Sequence, residues 1–401
     1  MIYVPRVPFL PYFCASQSII MRIAVNARFL LKDKLEGIGW VTHELLSRMV
    51  QAHPEHQFIF LFDRPYDESF VFAGNVTPVV VAPQARHPFL WYTWFEVSLP
   101  LVLRKYKADV FFSPDGYCSL RSKVPACMVV HDLAFEHYPR YVSKLVRNFY
   151  KHFTPRYIQH ARQVIAVSEY TKQDIITQYG ADAGKIQVVY NGARPEFKPL
   201  GWEERQAVKE KYTGGHEYFV YTGAIHPRKN VLNMLKAFVK FKRWNRSNMK
   251  FVLVGRMAWQ TDEIKELLEH MPYREDVIMP GYLNVDELAQ IIGGAYAMVY
   301  VSLFEGFGIP ILEALQCQVP AVISNTSSMP EVGGDAALQC DPNDVEDIAN
   351  QMNLIFKDEM LRTKLMRQCA PQAAKFNWDE SAAKVWNILV QTAASGKKRK
   401  S

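Results

Sequence analysis

Val299-Tyr-Val-Ser-Leu-Phe-Glu305-Gly-Phe-Gly308-Ile-Pro310-Ile-Leu-Glu313-Ala314 runs from an apolar, β-rich stretch through a glycine-bearing loop into a segment of helical period. Pro310 pre-sets the first helical turn, and the glycines let a ligand approach the backbone. A buried strand that feeds a helix through a tight loop is the repeating unit of a parallel sheet covered on both faces. The same alternation continues in both directions. Toward the N-terminus, strands are expected at 23–25, 58–62, 76–81, 109–112, 127–130, 164–167 and 186–190, with helices at 40–50, 91–106, 145–161 and 170–179. Asn191-Gly192-Ala193-Arg194-Pro195 then opens a Pro- and charge-rich connection to about Gly215. Strands resume at 218–222, 251–254, 277–279, 297–301, 321–323 and 337–340, and an amphipathic segment closes the pattern.

This predicts an α/β protein of two doubly wound, Rossmann-like domains in series, facing across a cleft. Residues 21–195 form the first and 196–378 the second. A terminal helix at 379–395 packs back on the first domain, and 396–401 is a basic tail. At 401 residues the chain suits two cores better than one. Residues 1–20, with Pro5, Pro8 and Pro11, make a poor signal peptide and a poor membrane helix, so Met21 reads as the natural start. The uncharged run 288–304 is broken by Gly293-Gly294 and reads as helix end, turn and strand.

Hydrophobic residues are 49% and charged residues 22% of the chain, a globular composition. The net charge of +7 owes four charges to Lys397, Lys398, Arg399 and Lys400 and decides little. No basic stripe interleaves with aromatics, so nucleic-acid binding is not indicated. The six cysteines are scattered with no CxxC or Cys/His cluster, which fits a reducing cytoplasm. No DxD or His-rich ligand spacing occurs, so neither metal nor cofactor is expected. Trp91, Tyr92, Trp94 and Phe95 could meet a membrane interface, but packing of a helix on the sheet is the stronger reading.

In doubly wound sheets, ligands bind at the carboxyl ends of the strands. There the chain carries three constellations. Glu305 follows a strand in a glycine-flanked loop; Glu313, eight positions on, can bind a ribose diol or simply balance the helix dipole, and free helix-start amides can hold anionic oxygens. Arg228 and Lys229 follow the strand ending at Gly223 and stand before a helix that Asn230 can cap, a pair suited to a pyrophosphate. His131 and Asp132 end a first-domain strand; His131 reads equally as a sugar contact or a structural ring, and Asp132 as a turn cap.

The E-x7-E element Glu305–Glu313, the Arg228-Lys229 pair, the Val-His131-Asp-Leu strand end and Ala166-Val-Ser168-Glu-Tyr-Thr171-Lys together resemble the retaining GT-B glycosyltransferases of group 1. Mannosyltransferases of bacterial surface-polysaccharide synthesis belong to that family. The resemblance runs from about Met21 to the last helix. It implies that the second domain holds a nucleotide-sugar donor. Arg228 and Lys229 would bind its diphosphate, Glu313 the ribose and Glu305 the transferred sugar. Backbone amides of Phe307, Gly308 and Ile309 would approach sugar and phosphate, and His131 would meet the sugar from the first domain. Gly255-Arg256 and Gly281-Tyr282 are similar to loops bordering the base. Gly37 and Gly39 match an acceptor or phosphate loop, in which Trp40 stands where members often carry Arg. Ser113-Pro-Asp115 lies on the acceptor side, although Asp115 also suits a tight turn.

The function this implies is metal-independent, retaining transfer of a hexose to a glycan or lipid-linked glycan. Mannose from GDP-mannose is the first choice and a UDP-hexose the next. A cytoplasmic protein, peripheral at an anionic inner membrane face, is the expected setting. A nucleotide-sugar 2-epimerase of the same architecture and a catalytically silent binding subunit are the competing readings. Donor turnover without acceptor would favour the first, and loss of the acids and cations the second. Glu305 and Lys229 are expected on solvent-facing loops, so that replacing either stops transfer without unfolding the chain.

Overall fold

The computed structural model describes residues 20–32, 35, 37–257 and 262–397. The expected extension before Met21, Glu36 of the glycine loop and tail residues 398–401 lie outside the described residues.

The first domain contains seven strands among the described residues. They are β1 (Arg22–Asn26), β2 (Gln57–Phe62), β3 (Val76–Val80), β4 (Val110–Ser113), β5 (Ala126–Val130), β6 (Gln163–Ala166) and β7 (Ile186–Val188). The second contains β8 (Tyr218–Thr222), β9 (Lys250–Val254), β10 (Val277–Gly281), β11 (Ala297–Tyr300), β12 (Ala321–Ser324) and β13 (Ala337–Cys340). Every run read as a strand is one. Central strands such as β5, β8 and β11 are buried at every residue, because helices cover both faces of their sheets.

All pairings within the two sheets are parallel, in the orders β3-β2-β1-β4-β5-β6-β7 and β10-β9-β8-β11-β12-β13. The strand order reverses between β1 and β4 in one sheet and between β8 and β11 in the other. A crevice opens at each such reversal, because the crossovers on either side leave in opposite directions. The two domains meet along the loops that follow these strand ends.

Three local expectations need correction. The connection 192–215 contains a helix, Trp202–Thr213, and a further helix, Glu359–Ala373, precedes the terminal one. The helix expected at 91–106 is broken into Pro88–Thr93, a π-turn at Trp94–Ser98 and Leu99–Lys105. Pro100 has no N–H to give to the carbonyl of Glu96, which locally widens the turn. Asn230 makes no side-chain cap for its helix; it has φ 62° and donates its amide to the carbonyls of Val301 and Pro342. His226 caps only the 3-10 turn Pro227–Lys229 just before that helix, its ring accepting from the backbone amide of Arg228.

Core packing claims the aromatic patch. Trp94 and Phe95 are fully buried, and the indole N–H groups of Trp91 and Trp94 donate to the carbonyls of Ala85 and Val81. The terminal helix, Trp378–Lys397, lies on the first domain, where Trp386 stacks on His53 at 3.7 Å and Arg48 pairs with Asp379 at 2.6 Å. Among the described residues no helix is long and apolar enough to cross a membrane, and the five described cysteines are buried and free.

Candidate active site

β8 and β11 deliver the central charges. After β8 the chain passes Gly223 and turns through Pro227–Lys229, carrying Arg228 and Lys229 to the strand-reversal crevice. After β11 the loop brings Glu305 to the same point. Lys229 Nζ donates to Glu305 Oε1 at 2.6 Å and to the Tyr300 hydroxyl at 2.9 Å, and that hydroxyl donates to the same carboxylate at 3.1 Å. Arg228 Nη1 lies 3.5 Å from Glu305 Oε2 and bonds the carbonyl of Phe304. Burial pushes the Glu305 carboxyl up, but Lys229 and then Arg228 outweigh it and hold it down at about 2. Burial works against the Arg228 charge, and Glu305 overrides that and raises its pKa.

Glu305 is therefore not on a solvent-facing loop: it is 7% exposed, and its role is tied to two cations. Removing the carboxylate leaves those cations uncompensated, so a loss of activity in Glu305→Ala cannot be separated from local rearrangement.

Glu305, Lys229, His131, Glu313 and Gly37 line one cavity of about 320 Å³ between the domains. Gly223, Phe307, Gly308 and Ile309 complete the part of it that the sequence had marked. His131 ends β5, and its Nε2 lies 2.6 Å from the carbonyl of Pro114. A carbonyl only accepts, so Nε2 carries the proton; burial lowers the ring's pKa, and the imidazole is neutral with a lone pair on Nδ1. Glu313 sits in the helix Ile309–Gln316, whose start at Gly308 has φ 101°. Its Oε1 accepts from Arg194 Nη2 at 2.8 Å, with the two side chains 5% and 12% exposed. The Arg194 guanidinium stands 4.6 Å over the Trp40 ring.

The seam beside this cavity is closed by backbone. Gly306 passes so near β5 that a Cβ on it would lie 1.6 Å from the carbonyl oxygen of His131, so only glycine fits. The Gly306 carbonyl accepts from Ser168 Oγ at 2.6 Å and Thr171 Oγ1 at 3.1 Å.

Other marked residues fall outside the cavity lining. Gly255 and Gly281 continue from the lining Gly223 in a row across the ends of β8, β9 and β10, joined through Gly223 N to Val254 O and Gly255 N to Gly281 O. Arg256 and Tyr282 lie beyond it, Tyr282 69% exposed. Arg228 lines the neighbouring cavity. Gly39 packs against the backbone of Phe29. Asp115 offers no free carboxylate: it accepts from Asn26, Ser113 and Arg28, the last at 2.7 Å, and its side chain is 1% exposed. It fixes the loop that carries Pro114, and so the ring of His131. Sequence reading passed over Arg194, which lay in plain view in the connection between domains. Among the described residues no group of three or more His, Cys, Asp or Glu is placed to hold a metal ion.

Comparison with known proteins follows the same division. The model for glycosyl transferases group 1 matches residues 203–376, and that for glycosyltransferase family 4 matches residues 35–197. The chain is a glycosyltransferase whose second domain is of group 1. The O-antigen chain mannosyltransferase B of Escherichia coli is 29% identical to this glycosyltransferase over 286 residues, which are 71% of this chain and 75% of the relative. The serotype-specific mannosyltransferase WbdA of E. coli is 28% identical over 240 residues, 59% of this chain but only 29% of that protein. The sucrose-phosphate synthase of Thermosynechococcus elongatus superposes with a TM-score of 0.74 at 16% identity, covering 94% of this chain and all of that one. That likeness bears on the fold alone, and the fold of this glycosyltransferase is GT-B.

Proposed function

We propose that this glycosyltransferase moves mannose from GDP-mannose to a hydroxyl of a glycan or lipid-linked glycan, with retention at the anomeric carbon and without a metal ion. The observation that carries the reading is the Glu305 carboxylate held between Lys229 and Arg228 at the strand-reversal crevice, with His131 opposite and Glu313 one helix away. Preorganised cations beside a helix start stabilise charge that grows on a departing diphosphate, the task a metal performs elsewhere. Glu313 accepts from the ribose hydroxyls, and the neutral ring of His131 bonds a hydroxyl of the sugar. The acceptor oxygen bonds to the anomeric carbon as the carbon–oxygen bond to phosphate breaks. The electron pair leaves on the diphosphate, and the acceptor's proton passes to a diphosphate oxygen on the same face. The choice of mannose rests on the mannosyltransferase relatives. A cytoplasmic enzyme attached peripherally to an anionic membrane face suits a lipid-linked acceptor, and the exposed Phe89 and Leu101 of the first domain support such contact.

The test is a thermal-shift screen of the purified protein against GDP, UDP, ADP and their hexose conjugates. GDP-mannose at a hundred times its dissociation constant is expected to add about 2.7 kcal/mol of stability, an effect lost in Lys229→Ala. Stabilisation by UDP conjugates alone overturns the donor, and a β-linked product from GDP-α-mannose overturns retention.

A further inference from the structure

Two further cavities adjoin the donor cavity, and Asp132 lines all three. The larger, about 360 Å³, is walled by Phe135, Tyr138 and Tyr141 of the first domain and by His226, Arg228 and Lys229 of the second. The smaller, about 160 Å³, lies beneath His131 and does not reach Lys229. We propose that the larger cavity binds the acceptor as a terminal pyranose, with Asp132 holding its attacking hydroxyl and Tyr141 stacking on its ring. The proposal rests on the donor-site reading above.

Reaction geometry selects between the two. The acceptor oxygen must come within about 3 Å of the anomeric carbon, and that carbon is joined to the diphosphate that Lys229 binds. The acceptor therefore occupies a space that shares the Lys229 wall with the donor cavity. The larger cavity does so, through Lys229 and Asp132 together.

The chemistry of the walls agrees. A pyranose presents an apolar C–H face and a rim of hydroxyls, which suits a pocket of aromatic rings with a few placed polar groups. Asp132 has an oxygen to spare: Oδ1 accepts from the amide of Ala134 at 2.9 Å, and Oδ2 accepts no hydrogen bond from the described residues. The turn cap read from sequence is real, and it leaves the second oxygen for a ligand. Both domains build the wall, since the Tyr138 hydroxyl donates to the carbonyl of Leu303 at 3.3 Å and Tyr141 meets the His226 ring edge-on at 5.6 Å. Closure of the domains thus completes the pocket. In the transfer step Asp132 only orients the hydroxyl; its proton ends on the departing diphosphate.

The test compares Asp132→Asn, Tyr141→Ala and Tyr141→Phe in the full chain, with a synthetic α-mannobioside as the acceptor probe. The amide oxygen of Asn still caps Ala134, so Asp132→Asn removes the carboxylate and keeps the turn. Acceptor KM is expected to rise about tenfold or more in Asp132→Asn and Tyr141→Ala, the scale of one lost charge-assisted bond or aromatic contact. Tyr141→Phe should restore it to within about twofold, because the ring face is what stacks. The dissociation constant for donor, read by thermal shift, should stay near wild type in all three. Unchanged acceptor KM in both disruptive variants overturns the assignment, and a parallel loss of donor affinity moves the cavity into the donor site. A wild-type protein that binds no nucleotide sugar overturns the proposed function itself, and is told apart by the donor titration alone.

Discussion

Arg194 joins three things that lie far apart in the chain. Its guanidinium covers Trp40 of the first domain, packs over Phe197 at 4.9 Å, and pairs with Glu313, 119 residues further on. Burial raises the pKa of the Glu313 carboxyl, Arg194 pulls it back, and Glu196 pushes it the same way as burial. The net shift is upward, and Arg194 is the group that limits it. In Arg194→Ala nothing opposes burial, so Glu313 takes up its proton at a higher pH than in the wild type. Donor affinity should fall about tenfold, the scale of a hydrogen bond to a charged group. The deficit should grow as pH is lowered through the variant's further raised pKa, because the wild type protonates Glu313 only at a lower pH. Titration of donor at several pH values checks this, and a pH-independent deficit shows a merely structural role. Glu305, Arg228, Lys229 and His131 were legible because they stand in loops that follow a strand, where chemistry is expected, and Glu313 because it sits in the helix such a loop enters. Arg194 was not, because its importance comes from a partner that only the folded chain brings near. Asp132 was legible only as a cap, since a spare oxygen shows up in geometry and not in residue type.

At the scale of the element, the loop from β11 to the helix Ile309–Gln316 serves both domains. Its Gly306 touches the β5 backbone, and its carbonyl is held by Ser168 and Thr171 at the start of the helix Glu169–Tyr179. A methyl group there must push β5 and the loop apart. Gly306→Ala is therefore expected to cut transfer about a hundredfold, the cost of an ångström-scale misplacement of reacting groups. Donor binding should survive, because Lys229, Glu305 and Glu313 all stay within the second domain. Rates and donor titrations measured on one preparation check both parts; wild-type transfer overturns the contact. The strands were readable because apolar runs bounded by turns leave little choice of structure. Two of the longer helices were not. Trp202–Thr213 buries only Val208, Lys209 and Thr213, so its sequence looks like a charged linker. Glu359–Ala373 carries an internal Pro371 and buries Gln372 among its few inward residues, which blurs the helical period.

For the molecule as a whole, the terminal helix matters as much as the cleft. It buries Val385, Trp386, Ile388 and Leu389 against the first domain. Each such side chain contributes about 1.5–3 kcal/mol, and four together rival the stability of about 5–15 kcal/mol of a whole domain. Deleting 378–397 should leave the first domain without fixed side-chain packing. Near-ultraviolet circular dichroism checks this, and an unchanged signal shows the helix to be dispensable. Where the chain passes into the second domain and where it comes back are neighbours: a Cβ on Gly192 would lie 2.7 Å from the ring of Trp378, and the Ser381 hydroxyl donates to the carbonyl of Tyr190 at 2.6 Å. The second domain thus hangs from the first by a double thread at one spot, like a door on a single pin. Swinging about that pin displaces each group in proportion to its distance from it. Arg194, two residues away, would hardly travel in such a swing, so the end of the cavity at Glu313 is expected to stay assembled while the end at Glu305 and His131 opens. With the donor placed as proposed above, an entering nucleotide sugar would engage its ribose first and the groups that act on the sugar last.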